Sequence, residues 1–344
     1  MSERTDLLES ISNTIHDYRS GDLEQSTPEH VERWVNQFPE DKQLPILKEM
    51  DHVLKKTYIT FENVTGFLKA LIKNEKLAGE DACVFWKSVN FLAIQAGGNS
   101  QREMLSLFNE ILKEECGFGI DECGEDSNVF IYLDDGLFTG NRIRRDLEGW
   151  IQSYAPEEAV IHVINIAQHS GGQHYAKGKI EGVAKANNKV LGISWWRAIE
   201  LEDRRYFTNT SDVLRPVTIP DKPEVKEYIE ELGYQPTLRV PGNVGKKEIF
   251  SSEEGRNLLE QEFLIAGVHI RQICPNLGDT QRPLGHMTLH TPGFGSLIVT
   301  FRNCPNNAPL ALWVDEPWYP LFQRATNSQT AMKRLFSTFM AGTD

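Results

Sequence analysis

Apolar residues recur with helical spacing over the first quarter of the chain. Four residues of the segment TPEHVERWVNQF fall on one face of a helix: Val31, Trp34, Val35 and Phe38. Thr27 followed by Pro28 is a typical helix start. Further helices are predicted over LPILKEMDHVLKKTY and after Thr60. Residues 1–85 are therefore expected to form a helical N-terminal region.

The pattern changes near residue 89. Short apolar runs then alternate with amphipathic segments, and these runs are VNFLAI, NVFIYL, AVIHVINIA and KVLGISWW. Continuous apolar strands that alternate with helices are typical of a parallel sheet covered on both faces. The sequence thus predicts an α/β core over residues 86–215. Its second strand is predicted to end at Asp134-Asp135, and Ser100 with Glu103 predicts a capping box at a helix start.

Residues 216–344 have a mixed pattern. TIPDKPEVKEYIEELG and SSEEGRNLLEQEFLIAG each contain a predicted helix, the second with Ser252 as N-cap. GSLIVTFRNCPNNAPLALWV is interpreted as two strands around a Pro/Asn turn. We expect an α+β C-terminal region that covers the core.

Composition and charge limit the class of protein. The 36 Lys and Arg against 49 Asp and Glu give a formal net charge of −13, which argues against a broad phosphate-tracking surface. The polar start and the absence of a run of about 18 apolar residues predict a cytoplasmic chain. The odd number of cysteines, five, favours reduced thiols. Cys116 and Cys123 have a spacing that suits no common zinc knuckle, and we expect them to be loop or core thiols.

The stretch VFIYLDDGLFTGNRI carries the main chemical signal. Asp134 and Asp135 follow an apolar strand, and Thr139-Gly140 leads into a helix. The first amides of a helix have no partner within it, so a helix start suits a phosphate. Carboxylates beside such a site match the hydroxyls and the phosphate of a ribose 5-phosphate. Helix capping by the aspartates is the structural alternative.

This stretch resembles the signature of type I phosphoribosyltransferases. The resemblance implies a doubly wound, mostly parallel sheet that binds phosphoribosyl pyrophosphate with Mg²⁺. Asp134 and Asp135 would act on the ribose and hold Mg²⁺ indirectly. The ribose 5-phosphate loop would comprise Gly136, Leu137, Phe138, Thr139, Gly140, Asn141 and Arg142. Arg142 stands where the family usually has Thr or Ser, and its guanidinium would replace that hydroxyl and add charge.

The family also has a pyrophosphate loop after an earlier strand of the same sheet. The segment in that place comprises Gln95, Ala96, Gly97, Gly98, Asn99 and Ser100. Gly97-Gly98 would allow close approach of the backbone to an anion, and the next helix would point its N-terminus there. A plain turn is the alternative.

Contacts with a nucleobase are less specific in the sequence. Gln168 and His169 follow the third predicted strand, at a place that often meets the base in the resembled fold. A solvated loop is the other interpretation. Asn303 and Asn307 have side chains that can read a base edge, but they also suit turns.

The segments VERWVNQF, GFGSLIVTFRNCPNN and ALWVDEPWYPLFQR resemble phosphoribosyltransferase-like effectors of bacterial conflict systems, including antiphage loci and some retrons. The resemblance implies an enzyme that acts at the anomeric carbon of a phosphoribosyl group. A defence-system protein or a reverse transcriptase–nucleic acid complex is an expected partner. A non-catalytic nucleotide sensor and a subunit held silent by a partner are the alternatives.

Overall fold

The computed structural model describes residues 2–124 and 127–324. These form two compact units, each assembled from separate stretches of chain. The first unit contains the described parts of 1–55, 218–236 and 257–344, and the second contains 56–217 and 237–256. The sequence pattern had suggested boundaries at residues 85/86 and 215/216.

The helices and strands follow one another along the chain. The α-helices described are α1 (Glu3–Thr14), α2 (Pro28–Val35), α3 (Glu40–Thr57), α4 (Phe61–Ile72), α5 (Glu75–Ala78), α6 (Ala82–Ser88), α7 (Ser100–Cys116), α8 (Asn141–Ser153), α9 (Ser170–Ala186), α10 (Pro223–Glu231), α11 (Glu253–Ile273) and α12 (Leu310–Trp313). The strands described are β1 (Tyr58–Ile59), β2 (Asn90–Phe91), β3 (Val129–Leu137), β4 (Glu158–His169), β5 (Val190–Leu201), β6 (Gln281–Arg282), β7 (Gly285–His286) and β8 (Val299–Thr300).

The predicted helix starts are confirmed at α2 and α11. Thr27 accepts a hydrogen bond from the His30 amide, and Pro28 is the first residue of α2. Trp34 on the apolar face of α2 is fully buried, and its indole nitrogen donates to the carbonyl oxygen of Ala311 at 2.8 Å. Ser252 caps α11 by accepting from the Gly255 amide at 3.0 Å.

The second unit contains a four-stranded parallel sheet in the order β2-β3-β4-β5. Helices α7, α8 and α9 connect successive strands, so the chain alternates strand and helix as the apolar pattern predicts. The α/β class with a parallel sheet is therefore confirmed. In the register of the sheet, Asp134 lies opposite Asn165, and Leu137 lies opposite Gln168.

One face of the sheet packs against α8 and α9. Tyr132, Ile161 and Val163 lie in one buried cluster with Leu147 of α8 and Ile180 of α9. Burying a side chain of this size contributes about 1.5–3 kcal/mol, so this cluster fixes both helices on the sheet.

Three strands of the sheet, β3, β4 and β5, run further than the sequence predicts, whereas β2 is shorter than the predicted segment VNFLAI. β3 continues through Asp134 and Asp135 to Leu137, and β4 continues to His169. The prediction that β3 ends at the paired acids was wrong, because Asp and Gly are typical turn residues. Pairing with β4 supplies ladder hydrogen bonds that override this local preference, and only Phe138, Thr139 and Gly140 remain as the turn before α8.

Two further local predictions were wrong. Asn99 rather than Ser100 is the N-cap of α7, and no side-chain hydrogen bond caps this helix. Ser100 is the first helical residue, and its hydroxyl contacts the Asp134 carboxylate instead. In the C-terminal region, Leu310–Trp313 forms the short helix α12 where a second strand was expected.

A disulfide links α6 to α7, which contradicts the expectation of reduced thiols at these positions. Cys83 and Cys116 are 33 residues apart in sequence, and their Cα atoms are 5.5 Å apart. This distance is typical of a disulfide. No sequence pattern identifies the pair, because packing of the two helices brings the residues together. Cys123, Cys274 and Cys304 are free thiols.

Among the residues described here, no helix combines the length and apolar character needed to cross a membrane.

Candidate functional site

The paired acids lie at the carboxyl end of the sheet in different environments. Asp134 is 3% exposed, whereas Asp135 is half-buried. Asp134 accepts a hydrogen bond from the Asp135 amide at 2.9 Å, and the Ser100 hydroxyl interacts with its carboxylate. Burial and then the charge of Asp135 raise the pKa of Asp134 to about 7. Near neutral pH the Asp134 carboxyl group is therefore present in both its protonated and its ionised form.

The turn after the acids leads into an uncapped helix. Gly140 is the N-cap of α8, has φ +74°, and provides no side chain to its first turn. The hydroxyl of Thr139 is 3.5 Å from the Asn141 amide, which is a weak contact. The helix start thus combines a positive dipole end with amides that have no side-chain cap.

The conformation of the loop before α7 is held by the side chains of Gln95 and Gln101. The side-chain oxygen of Gln101 accepts from the amides of Ile94 at 2.8 Å and Gln95 at 2.9 Å. The side-chain oxygen of Gln95 accepts from the Gln101 amide at 3.2 Å. The amides of residues 94 and 95 are therefore engaged within the protein, while residues 96–99 are exposed to solvent.

Two contacts join this segment to β3 and to the start of α8, the elements on either side of the turn. The Arg142 Nη1 atom donates to the carbonyl oxygen of Gly97 at 3.0 Å. The Ser100 hydroxyl, at the start of α7, interacts with the Asp134 carboxylate and lowers its pKa. The two segments that the sequence predicts as the ribose 5-phosphate loop and the pyrophosphate loop thus form one continuous site.

Asp146 is part of this site and was missed in the sequence. It lies one helical turn after Arg142 on α8 and accepts a hydrogen bond from the Tyr132 hydroxyl at 2.9 Å. Its carboxylate also interacts with the Ala96 amide, which lowers its pKa. Burial is the largest cause that raises its pKa. Its spacing of four residues from Arg142 is the signal that could have identified it.

Gln168 and His169 are buried at the end of β4, so the interpretation as a solvated loop was wrong. His169 is completely buried, and its Nδ1 atom lies 3.2 Å from the carbonyl oxygen of Leu137. Burial lowers the pKa of His169 to about 4, which keeps the ring neutral at physiological pH. The side-chain oxygen of Gln168 and the side-chain nitrogen of Asn165 are buried without a hydrogen-bond partner. A role of Gln168 or His169 in base binding stays a prediction.

The start of α9 is closed to anions by a residue that the sequence did not suggest. Asp203 accepts from the Gly171 amide at 2.6 Å, from a position just beyond β5. Burial raises the pKa of Asp203 to about 7. The open start of α8 and the occupied start of α9 therefore differ in their capacity to bind phosphate.

Asn303 and Asn307 belong to the first unit, whereas the paired acids belong to the second. The Asn307 side-chain nitrogen donates to the carbonyl oxygen of His286 at 2.9 Å. The Asn303 backbone closes a turn with Thr300. These contacts agree with the turn chemistry considered for the segment, and base contacts of both residues stay a prediction.

No group of three or more His, Cys, Asp or Glu side chains within residues 2–124 and 127–324 is arranged to hold a metal ion. Asp134 and Asp135 offer two carboxylates at the site. A Mg²⁺ ion usually keeps several waters and is bound through one or two carboxylates together with substrate phosphates. The donor set at this site therefore fits Mg²⁺ held mainly by a diphosphate.

Comparison with known proteins agrees with this architecture. Neither the curated proteins nor the solved structures contain a significant match to the chain. The family model PRTase-CE, which describes effector-type phosphoribosyltransferases, matches residues 31–324. This match extends over the sheet, both loops of the site and most of the helical and C-terminal regions, so the chain belongs to the PRTase-CE family and is a phosphoribosyltransferase-like protein.

Proposed function

We propose that the protein binds phosphoribosyl pyrophosphate or a related ribonucleotide with Mg²⁺ and acts at the anomeric carbon of the ribose. The observation that carries this proposal is the hydrogen bond from Arg142 to Gly97, which joins the first turn of α8 to the loop before α7. The 5-phosphate and the pyrophosphate are attached to opposite ends of the same sugar. A protein that binds both needs two anion-binding segments one sugar width apart.

Each part of the site has a chemical role in this proposal. The half-buried Asp135 accepts hydrogen bonds from ribose hydroxyls. Asp134 accepts a hydrogen bond from the Asp135 amide and so holds the Asp135 backbone in place. The start of α8, with Thr139 and Gly140, binds the 5-phosphate. The exposed Gly97-Gly98 segment binds the pyrophosphate with its amides. Mg²⁺, when bound, neutralises charge on the diphosphate.

Reaction at the anomeric carbon passes through an oxocarbenium-like transition state. The bond between the anomeric carbon and the leaving pyrophosphate or base breaks, and a nucleophile takes its place. The protein's contribution is to fix the sugar between its two anionic ends and to stabilise the charge of the departing group.

Calorimetry with phosphoribosyl pyrophosphate and Mg²⁺ tests the proposal. The wild type should release or absorb heat on binding, and the variant with both Asp134→Asn and Asp135→Asn should lose this heat, because Asn provides weaker acceptors for the hydroxyls. Glu148→Gln on α8 is the control, since Glu148 pairs with Arg144 and lies outside the two loops. Absence of binding heat in the wild type, or equal heat in the double variant, would reject the proposal.

A nucleotide sensor without turnover is the second candidate. The near-complete burial of Asp134 and the replacement of the usual Thr or Ser by Arg142 favour it, because the first withdraws a carboxylate from the ligand and the second removes a hydroxyl from the phosphate loop. Mass spectrometry of phosphoribosyl pyrophosphate incubated with the protein separates the candidates. Binding without pyrophosphate release supports the sensor, and pyrophosphate release excludes it.

An effector role in bacterial antiphage defence is part of the proposal. It predicts that expression of the protein changes a nucleotide or phosphoribosyl pool, or that a defence-system partner keeps the protein silent. Metabolite profiles of cells that express the wild type or the double Asn variant would identify the pool. Co-purification would identify a partner, which the net charge of −13 suggests is a basic protein surface.

A further inference from the structure

The Gly97–Gly98 peptide is held from one side by α8. Arg142 Nη1 donates to the Gly97 carbonyl oxygen at 3.0 Å. This peptide bond is trans, and in a trans peptide the carbonyl oxygen and the following amide hydrogen point in opposite directions. The contact therefore turns the carbonyl oxygen toward α8 and the Gly98 amide away from it.

Asp146 contacts the same loop two peptides earlier, at the Gln95–Ala96 peptide. Its carboxylate accepts a hydrogen bond from the hydroxyl of Tyr132 at 2.9 Å. The same carboxylate interacts with the Ala96 amide, which favours its ionised form and lowers its pKa. Tyr132 is fully buried in the core of the sheet, so it anchors the carboxylate to a rigid part of the molecule. Arg142 and Asp146, which we call the α8 clamp, thus hold one carbonyl and one amide of adjacent loop residues.

The fit between loop and clamp is tight at Gly98. This residue has φ +86°, and a Cβ atom placed on it would lie 2.7 Å from Arg142 Nη1. A Cβ atom at Gly97 would meet no atom within 4 Å. The two glycines therefore have different roles, because only Gly98 is needed for the approach of the guanidinium.

We propose that Asp146 is a positioning residue for the pyrophosphate of the substrate: together with Arg142 it orients the Gly97–Gly98 peptide so that its amide faces the anion. This inference rests on the proposed function of the site. It assigns a role to Asp146 that does not need contact between Asp146 and the substrate.

A purely electrostatic role makes the opposite prediction for Asp146. A carboxylate near an anion-binding loop repels the anion, so its removal would strengthen binding, whereas removal of Arg142 would weaken it. If the clamp acts by orienting the loop, both removals weaken binding. The sign of the Asp146 effect therefore separates the two roles.

The test is calorimetry of the full chain with phosphoribosyl pyrophosphate and Mg²⁺, with ribose 5-phosphate as a reference ligand that lacks the pyrophosphate. We expect Asp146→Ala to weaken binding of phosphoribosyl pyrophosphate by about tenfold, the effect of one well-placed hydrogen bond, and to leave binding of ribose 5-phosphate unchanged. Arg142→Gln should also weaken binding of phosphoribosyl pyrophosphate. The double variant should add little to either change, because both residues act through one loop.

Three variants control the interpretation. Glu148→Gln removes the partner of Arg144 at the same spacing on the same helix and should change neither affinity. Asp146→Asn keeps an acceptor for the Ala96 amide and should restore part of the affinity that Asp146→Ala loses. Tyr132→Phe removes only the anchoring hydroxyl and should give a smaller loss of the same kind, which provides a test if Asp146→Ala fails to fold.

The two proposals fail in different ways. If the wild type does not bind phosphoribosyl pyrophosphate, the proposed function fails and the clamp fails with it. If the wild type binds but Asp146→Ala binds equally well or more tightly, the clamp alone is overturned. Equal losses for phosphoribosyl pyrophosphate and ribose 5-phosphate would show general damage to the site and would also overturn it.

Discussion

Gly140 and Gly172 lie against each other where the starts of α8 and α9 meet. A Cβ atom on Gly140 would lie 2.2 Å from the carbonyl oxygen of Gly172, and one on Gly172 would lie 1.8 Å from the carbonyl oxygen of Phe138. Gly140 also has φ +74°, a conformation that other residues rarely adopt. The Gly of the Thr-Gly pair is therefore required by packing as well as by any ligand.

This contact predicts that Gly140→Ala destabilises the protein. The clash is with backbone, which cannot move aside as the end of a side chain can, and the left-handed conformation adds strain. We expect a loss of at least about 2 kcal/mol in the free energy of unfolding, measured by urea denaturation. Gly149→Ala on the exposed side of α8 is the control and should stabilise by about 0.5–1 kcal/mol, because Gly149 has no atom within 4 Å of its Cβ position. Equal stability of Gly140→Ala and wild type would contradict the packing role.

Buried His169 predicts a loss of stability in acid. Its pKa is lowered to about 4 in the folded state, against about 6.5 in an unfolded chain. Above the unfolded pKa neither state binds a proton, so the folded state has no penalty. As the pH falls from about 6.5 to about 4, the unfolded state binds a proton that the folded state does not, and stability decreases by up to about 3 kcal/mol.

The measurement is the free energy of unfolding near neutral pH and at about pH 4.5. His169→Gln keeps a donor for the Leu137 carbonyl oxygen and does not titrate, so its stability should fall less over this interval than that of the wild type. An identical fall in both proteins would show that His169 is not the group responsible.

Buried Asp134 predicts the opposite dependence. Its folded pKa is raised to about 7, so the ionised form is disfavoured in the folded state. The penalty is absent below the unfolded pKa near 3.9, grows as the pH rises from there to about 7, and is constant above the folded pKa. The stability of Asp134→Asn relative to the wild type should therefore increase from about pH 5 to about pH 8.

Exposed Asp121 provides the comparison for this titration. Asp121→Asn changes the same type of side chain in the same unit without removing a buried charge. Its stability relative to the wild type should change less over the interval than that of Asp134→Asn, because its side chain is exposed to water in the folded state. If Asp134→Asn behaves in the same way, the buried carboxyl of Asp134 is not the titrating group.

The link between Cys83 and Cys116 predicts sensitivity to reductants. The disulfide closes a loop across 33 residues, and the loss of such a link costs about 3–4 kcal/mol in the chain-entropy description. A thiol reductant should lower the unfolding midpoint of the wild type. It should have no effect on Cys83→Ser plus Cys116→Ser, which should already unfold at the lower midpoint.

Cys123→Ser is the control for the disulfide, because Cys123 is a free thiol close to Cys116 in sequence. It should keep the response to reductant. Loss of the response in this variant would indicate that Cys123 takes part in the pairing.

Local sequence patterns were sufficient for much of the second unit. The alternation of apolar runs and amphipathic segments predicted β3, α8, β4 and α9 in the right order, because burial on a sheet requires continuous apolar residues. The ends of strands were predicted less well. Asp134-Asp135 look like a turn in isolation, but the ladder with β4 continues to Leu137, since hydrogen bonds from a neighbouring strand are not encoded in the local segment.

In the candidate site, too, some features follow from the local sequence and others only from the tertiary structure. The sequence by itself determined which residue types stand at the carboxyl end of β3 and before α7, since their spacing depends only on neighbours along the chain. Tertiary structure alone decided that Arg142 reaches Gly97, that Ser100 reaches Asp134, that Asp146 joins them, and that Cys83 meets Cys116. These contacts join residues up to 50 positions apart, and packing of whole helices and strands brings them within reach of one another.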